Sequence, residues 1–153
     1  MADLQSFEVA QGDTFGDLLS ANRIRSQQPV KVGLLSGGFF EYWRMYPETL
    51  KEAVLKDNRI VLDRLSANHQ VVFPGLVDCL DAADHAGCCF RDEQIDLLII
   101  TERTYVPDTY IHQALSHVPD VPLLLYVSQS SDTIDLKSNY EATLRDSGMM
   151  SLV

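Results

Sequence analysis

Positive charge is scarce in this sequence. Twelve Lys and Arg residues stand against 22 Asp and Glu, giving a formal net charge of −10 and a pI near 4.6. No basic run offers a local exception, so a phosphate backbone or an anionic membrane surface would be repelled, which excludes nucleic acid and membrane as partners. Cysteine is scarce too. Cys79, Cys88 and Cys89 are odd in number and two are adjacent, which suits neither a disulfide framework nor a zinc site of two Cys-x-x-Cys pairs. They read as small apolar residues on or near a buried helix face, and reduced thiols point to the cytoplasm. No apolar run approaches the roughly 20 residues of a spanning helix. The opening "MADLQSFEVAQGD" lacks the basic region and apolar stretch of a signal peptide.

Several catalytic signatures are missing as well. There is no Gly-x-Gly-x-x-Gly, no Gly-Lys-Ser/Thr and no Gly-x-Ser-x-Gly elbow. The histidines His69, His85, His112 and His117 form no His-x-x-x-His pair, so no metal site is expected from this chain alone. A phospho-receiver domain would carry an acidic pair after its first strand, and none stands here.

What is present is an alternation of periods. "VKVGLLSG", "HQVVFPG", "IDLLIIT" and "VPLLLYVSQ" are nearly continuous apolar runs, the signature of parallel strands buried on both faces. They predict strands near 30–35, 70–73, 95–100 and 122–127. Between them lie helical patterns. In "YPETLKEAVLKDNRIVLDRLSAN" Pro47 suits the first helical position, Leu50, Val54, Val61 and Leu65 share one face, and Asn68 ends the pattern. "CLDAADHAGCCFRDE" reads as a helix with Cys79, Ala83, Ala86 and Phe90 inward. "PDTYIHQALSHV" and "DLKSNYEATLRDSG" are the third and fourth helices, Gly148 terminating the last. The polar residues 1–29 form an N-terminal extension, and residues 30–153 one domain. The order predicts a three-layer α/β/α domain with a doubly wound parallel sheet, flavodoxin-like, strand order 2-1-3-4.

In such sheets ligands sit beyond the carboxyl ends of the strands. Four segments therefore matter: "SGGFFEYW", "FPGLVD", "TERTYVP" and "SQSSDTID". Ser36-Gly37-Gly38 can form a phosphate turn, although the nucleotide spacings are absent. Phe39, Phe40, Tyr42 and Trp43 follow directly. They either pack the helix entry onto the sheet or form an aromatic wall for a small polar ligand or a subunit. Glu102, Arg103 and Tyr105 belong to the same edge, where a charged loop pair is ordinarily solvated. The amide of Gln129 either faces the mouth or bonds loop backbone.

The stretches "KVGLLSGGFFEYW", "YPETLKEAV", "DLLIITERTYVP", "VPLLLYVSQ" and "NYEATLRDSGMMSL" resemble the N-terminal domain of the L-arabinose isomerase and L-fucose isomerase family over about residues 30–152. Ser36 to Tyr42 occupies the place of that family's Thr-Gly-Ser-Gln-His-Leu-Tyr turn. Thr104 to Pro107 is similar to its Thr-Phe-Ser-Pro, and Tyr126 to Gln129 to its Leu-His-Thr-Gln. The family's Gln and His in the first turn are Phe39 and Phe40 here. The resemblance implies an N-terminal domain of a metal-dependent aldose–ketose isomerase. Its substrate-lining residues would be Phe39, Tyr42, Tyr105 and Gln129, and it would be a homo-oligomer in which this domain lines a sugar site across a subunit interface. No catalytic residue, metal or cofactor is implied in this chain. Mn²⁺ and the proton-moving glutamates belong to later domains of the full-length enzyme. A free-standing flavodoxin-like binding or interaction module without catalysis is the alternative, and a nucleotide-binding domain with a non-standard loop is a third.

Overall fold

A computed structural model of the chain describes residues 30–128 and 140–145. The expected extension over residues 1–29, Gln129 and the Gly148 helix stop lie outside the described residues. Five strands and five helices are described: β1 (Lys31–Gly37), α1 (Phe40–Met45), α2 (Leu50–Ser66), β2 (Gln70–Val72), β3 (Leu76–Val77), α3 (Leu80–Asp92), β4 (Leu97–Glu102), α4 (Asp108–Leu115), β5 (Leu123–Leu125) and α5 (Tyr140–Arg145). All described strand pairs are parallel and the order is β2-β1-β4-β5, with β3 also on β1. The expected order 2-1-3-4 is therefore observed. The second expected strand is split at Phe73-Pro74-Gly75. Pro74 has no N–H to give to a ladder, and pairing with β1 resumes one residue out of register at Leu76.

Alternation along the central strands sorts the core into two faces. Val32, Leu34 and Ile99 pack with Val61, Leu62 and Leu65 of α2. Leu35, Leu98 and Ile100 pack with Ala83, Ala86 and Phe90 of α3 and Ala114 of α4. A third cluster joins Trp43, Leu50, Val54 and Leu144, seating α1 and α5 against α2. Helices thus cover both faces of the sheet. No helix among the described residues is long and apolar enough to cross a membrane.

Three expectations are corrected. Pro47 does not open the long helix. It lies in a turn between α1 and α2, and α2 begins at Leu50 after Thr49. Proline cannot donate the bond that would carry α1 onward, so the aromatic segment gains a short helix of its own. Cys79 is not inward: it is the exposed residue capping α3, while Cys88 and Cys89 are half-buried beside imidazoles rather than in the apolar core. The run Leu123–Val127 is not buried. Leu123 and Leu125 keep 49% and 54% of their surface, because β5 is the sheet edge, bonded to β4 alone among the described strands.

Gly87 sits inside α3, where glycine costs about 1 kcal/mol relative to alanine. The reason is the crossing with α4. A Cβ there would lie 2.5 Å from Cδ2 of His117 and 2.6 Å from the backbone oxygen of Ala114. Gly87→Ala is expected to lose about 1–3 kcal/mol through overpacking, measured by urea unfolding. A more stable variant would show the crossing to be slack.

Candidate functional site

The carboxyl ends of β1 and β4 carry polar side chains on the α2 face, where hydrophobic residues end. Asn58 occupies a buried position on the apolar stripe of α2. Its Oδ1 accepts from Ser36 Oγ at 3.0 Å and from Arg103 Nε at 3.2 Å. The Arg103 Nη1 donates to Ser128 Oγ at 2.7 Å, and its guanidinium lies 5.8 Å from the centre of the Tyr126 ring. Arg103 is only 7% exposed. The expectation of a solvated loop charge is thereby corrected: its residue continues the alternation of β4, which turns the side chain in beneath the strand ends.

This network is incomplete among the described residues. There, Asn58 Nδ2, Thr101 Oγ1 and Arg103 Nη2 are buried without a hydrogen-bond partner. Each such atom costs about 1–3 kcal/mol, a heavy load against a typical domain stability of about 5–15 kcal/mol. No carboxylate pairs with Arg103 among the described residues. The nearby Asp57 is held by Arg145, whose Nε donates to it at 2.9 Å. Burial pushes the Arg103 pKa down, and the neighbouring Asp57 and Tyr126 oppose that shift.

Beside this network stands an aromatic rim. Phe39 meets Tyr42 edge-on at 5.2 Å and Tyr105 edge-on at 5.7 Å between ring centres. Phe39 and Tyr42 are half-buried and Tyr105 is 41% exposed. Three of the four residues expected to line a ligand site therefore come together, and Gln129 lies outside the described residues. Thr104 fixes the rim. Its Oγ1 accepts from the Phe39 N–H at 3.0 Å and donates to the Tyr105 carbonyl at 3.1 Å. Phe40 points elsewhere and is exposed. Trp43 is buried, donating from Nε1 to Asp78 at 2.9 Å.

The Ser-Gly-Gly turn is not a phosphate cradle. The Gly38 N–H is taken by the Val77 carbonyl and the Phe39 N–H by Thr104. The glycine is needed instead by Trp43, whose ring would sit 2.6 Å from a Cβ at position 38.

Sequence spacing did not bring His117 near α3, but the fold does. Its Nε2–H donates to Asp84 Oδ1 at 2.9 Å, and Nδ1 faces the Cys88 thiol at 3.8 Å. The carboxylate also accepts from Gln113 at 2.7 Å. Asp84, Cys88 and His117 lie close enough to suggest a metal site. Both ring nitrogens are already engaged, however, and one imidazole offers a metal one nitrogen. The cluster is a polar fastening between α3 and the turn after α4. The only cue in the sequence was the four-residue spacing of Asp84 and Cys88. Asn58 was more legible, falling four residues after Val54 and three before Val61 on the apolar stripe.

No family model matches the chain, and no curated protein matches it.

Two outcomes are expected. Thr104→Val keeps the shape but removes both hydroxyl bonds, so it should cost about 1–2 kcal/mol in urea unfolding and broaden the Phe39 and Tyr105 ring resonances. The hydrogen bond from His117 holds the Asp84 carboxyl below its ordinary value of 3.8. Its contribution is complete above that value and is lost as pH falls through the lower folded pKa. Asp84→Asn should flatten that acid limb, and an unchanged limb would place the linkage elsewhere.

Proposed function

We propose that this chain is the pocket-lining N-terminal domain of a metal-dependent aldose–ketose isomerase of the L-arabinose or L-fucose type. The observation that carries the reading is the rim of Phe39, Tyr42 and Tyr105 at the carboxyl ends of parallel strands. Aromatic faces accept the apolar face of a sugar ring, and tyrosine hydroxyls reach its oxygens. In this reading the rim completes a sugar site in a homo-oligomer. The proton transfer and the Mn²⁺ belong to residues outside the described ones. Asp84, Cys88 and His117 do not fit that ion, since Mn²⁺ favours oxygen ligands and this set offers a thiol and a committed imidazole. The buried network at Arg103 keeps a second reading in play, a binding module without catalysis, because it supplies recognition groups and no general base.

The test is titration of the chain with L-arabinose and L-fucose, followed by amide NMR. Saturable shifts at Phe39, Tyr42 and Tyr105 are expected, with Phe39→Ala and Tyr105→Ala each weakening binding by about 0.5–1.5 kcal/mol. With Mn²⁺ added, the chain alone should turn over neither sugar. Shifts confined to other surfaces, or no shift with either sugar, would sink the sugar reading.

A further inference from the structure

We propose that Arg103, with Asn58, Thr101 and Ser128, forms an anion-recognition site, so that the ligand at the strand-end face carries a carboxylate or a phosphate. The acceptor count leads there. Arg103 Nη2 and Asn58 Nδ2 can only donate, and the Thr101 hydroxyl can donate as well. All three are buried and unpartnered. The guanidinium remains charged at any physiological pH, and no described carboxylate is hydrogen-bonded to it, Asp57 acting on it only through space. Asp57 is committed to Arg145, Tyr126 contributes its ring face, and Ser128 is neutral. Donors gathered at a positive charge that no described carboxylate pairs favour an anionic oxygen, which can accept several such bonds at once.

The geometry also suits the fork of the guanidinium. Asn58 fixes Nε from below, leaving Nη1 and Nη2 as the paired donors that grip a carboxylate or phosphate in bidentate fashion. Nη1 is occupied only by a serine hydroxyl on the strand-end side, a bond that a charged oxygen would replace. In a chain of net charge −10, a buried arginine with no paired carboxylate among the described residues singles this place out. Under the sugar reading above, on which the identity of the ligand rests, the substrate becomes an acidic sugar, either phosphorylated or carrying a carboxylate. Anion binding itself does not depend on that reading.

The experiment compares inorganic phosphate, acetate and chloride at equal ionic strength with neutral L-arabinose. Thermal unfolding and the Arg103 Nε–H resonance are the two readouts. Phosphate or acetate should raise Tm saturably and shift that resonance, and chloride should do neither. A response to phosphate alone assigns a phosphorylated ligand; a response to acetate assigns a carboxylate. Arg103→Met should lose the anion-dependent rise, read against its own Tm in chloride. If that variant fails to fold, Arg103→Lys serves. It keeps the charge but loses the fork, and should weaken anion binding about tenfold. Silence toward both anions overturns the proposal, as does a Tm rise unchanged in either variant. If L-arabinose binds while both anions are silent, the sugar reading stands and this inference falls. If the anions bind and both neutral sugars are silent, the reverse holds.

Discussion

Two hydrogen bonds into one oxygen organise the functional end of this domain. Asn58 Oδ1 receives Ser36 from β1 and Arg103 from the end of β4. One helix is thereby pinned to two neighbouring strands at the point where their ladder ends. Arg103 then carries the constraint to β5 through Ser128. Among the described residues the amide's NH₂ has no acceptor, and the guanidinium has no paired carboxylate. The arrangement reads as positioning achieved at the expense of satisfaction, a pattern characteristic of binding sites rather than of cores.

The architecture was legible because the apolar runs of β1 and β4 are too continuous to be one-sided strands, and because each is followed by a helical period. What escaped the sequence reading has a common cause: one residue's fate was decided by a partner remote in the chain. Arg103 looked like a loop charge because its immediate neighbours Thr101, Glu102 and Thr104 are polar, yet strand alternation carries it inward toward Asn58, 45 residues earlier. Pro47 looked like a helix start because the helical need of Tyr42 and Trp43 was invisible locally. Cys79 fell on the apolar face of a helical wheel, but the helix begins one residue later. The rim was partly legible. Aromatics after a strand pointed to it, whereas the Thr104 hydroxyl that joins Phe39 to Tyr105 is a tertiary fact.

Two polar clusters of the domain differ in how their groups are spent. Between α3 and α4, Asp84, Gln113, His117 and Cys88 form a set in which every strong donor meets an acceptor. Gly87 lets the imidazole lie against α3. These bonds tie α3 to α4 and the turn that follows it. At the strand-end side, Asn58 Nδ2 and Arg103 Nη2 meet no acceptor among the described residues. The contrast is between a fastening whose bonds are made and a strand-end face whose buried donors are not, and in parallel sheets it is the strand ends that ordinarily meet ligands.

The bare edge at β5 has a colloidal consequence. Leu123, Leu124, Leu125, Tyr126 and Val127 form an uncharged, solvent-facing ribbon on a molecule of net charge −10. Two copies approaching through that ribbon feel a short-range attraction and a long-range repulsion. At low ionic strength the repulsion dominates and the chains stay dispersed. Added salt shortens the screening length to about 8 Å near physiological strength, while the apolar edge is left unweakened. Salt thus shifts the balance at this edge from repulsion toward contact.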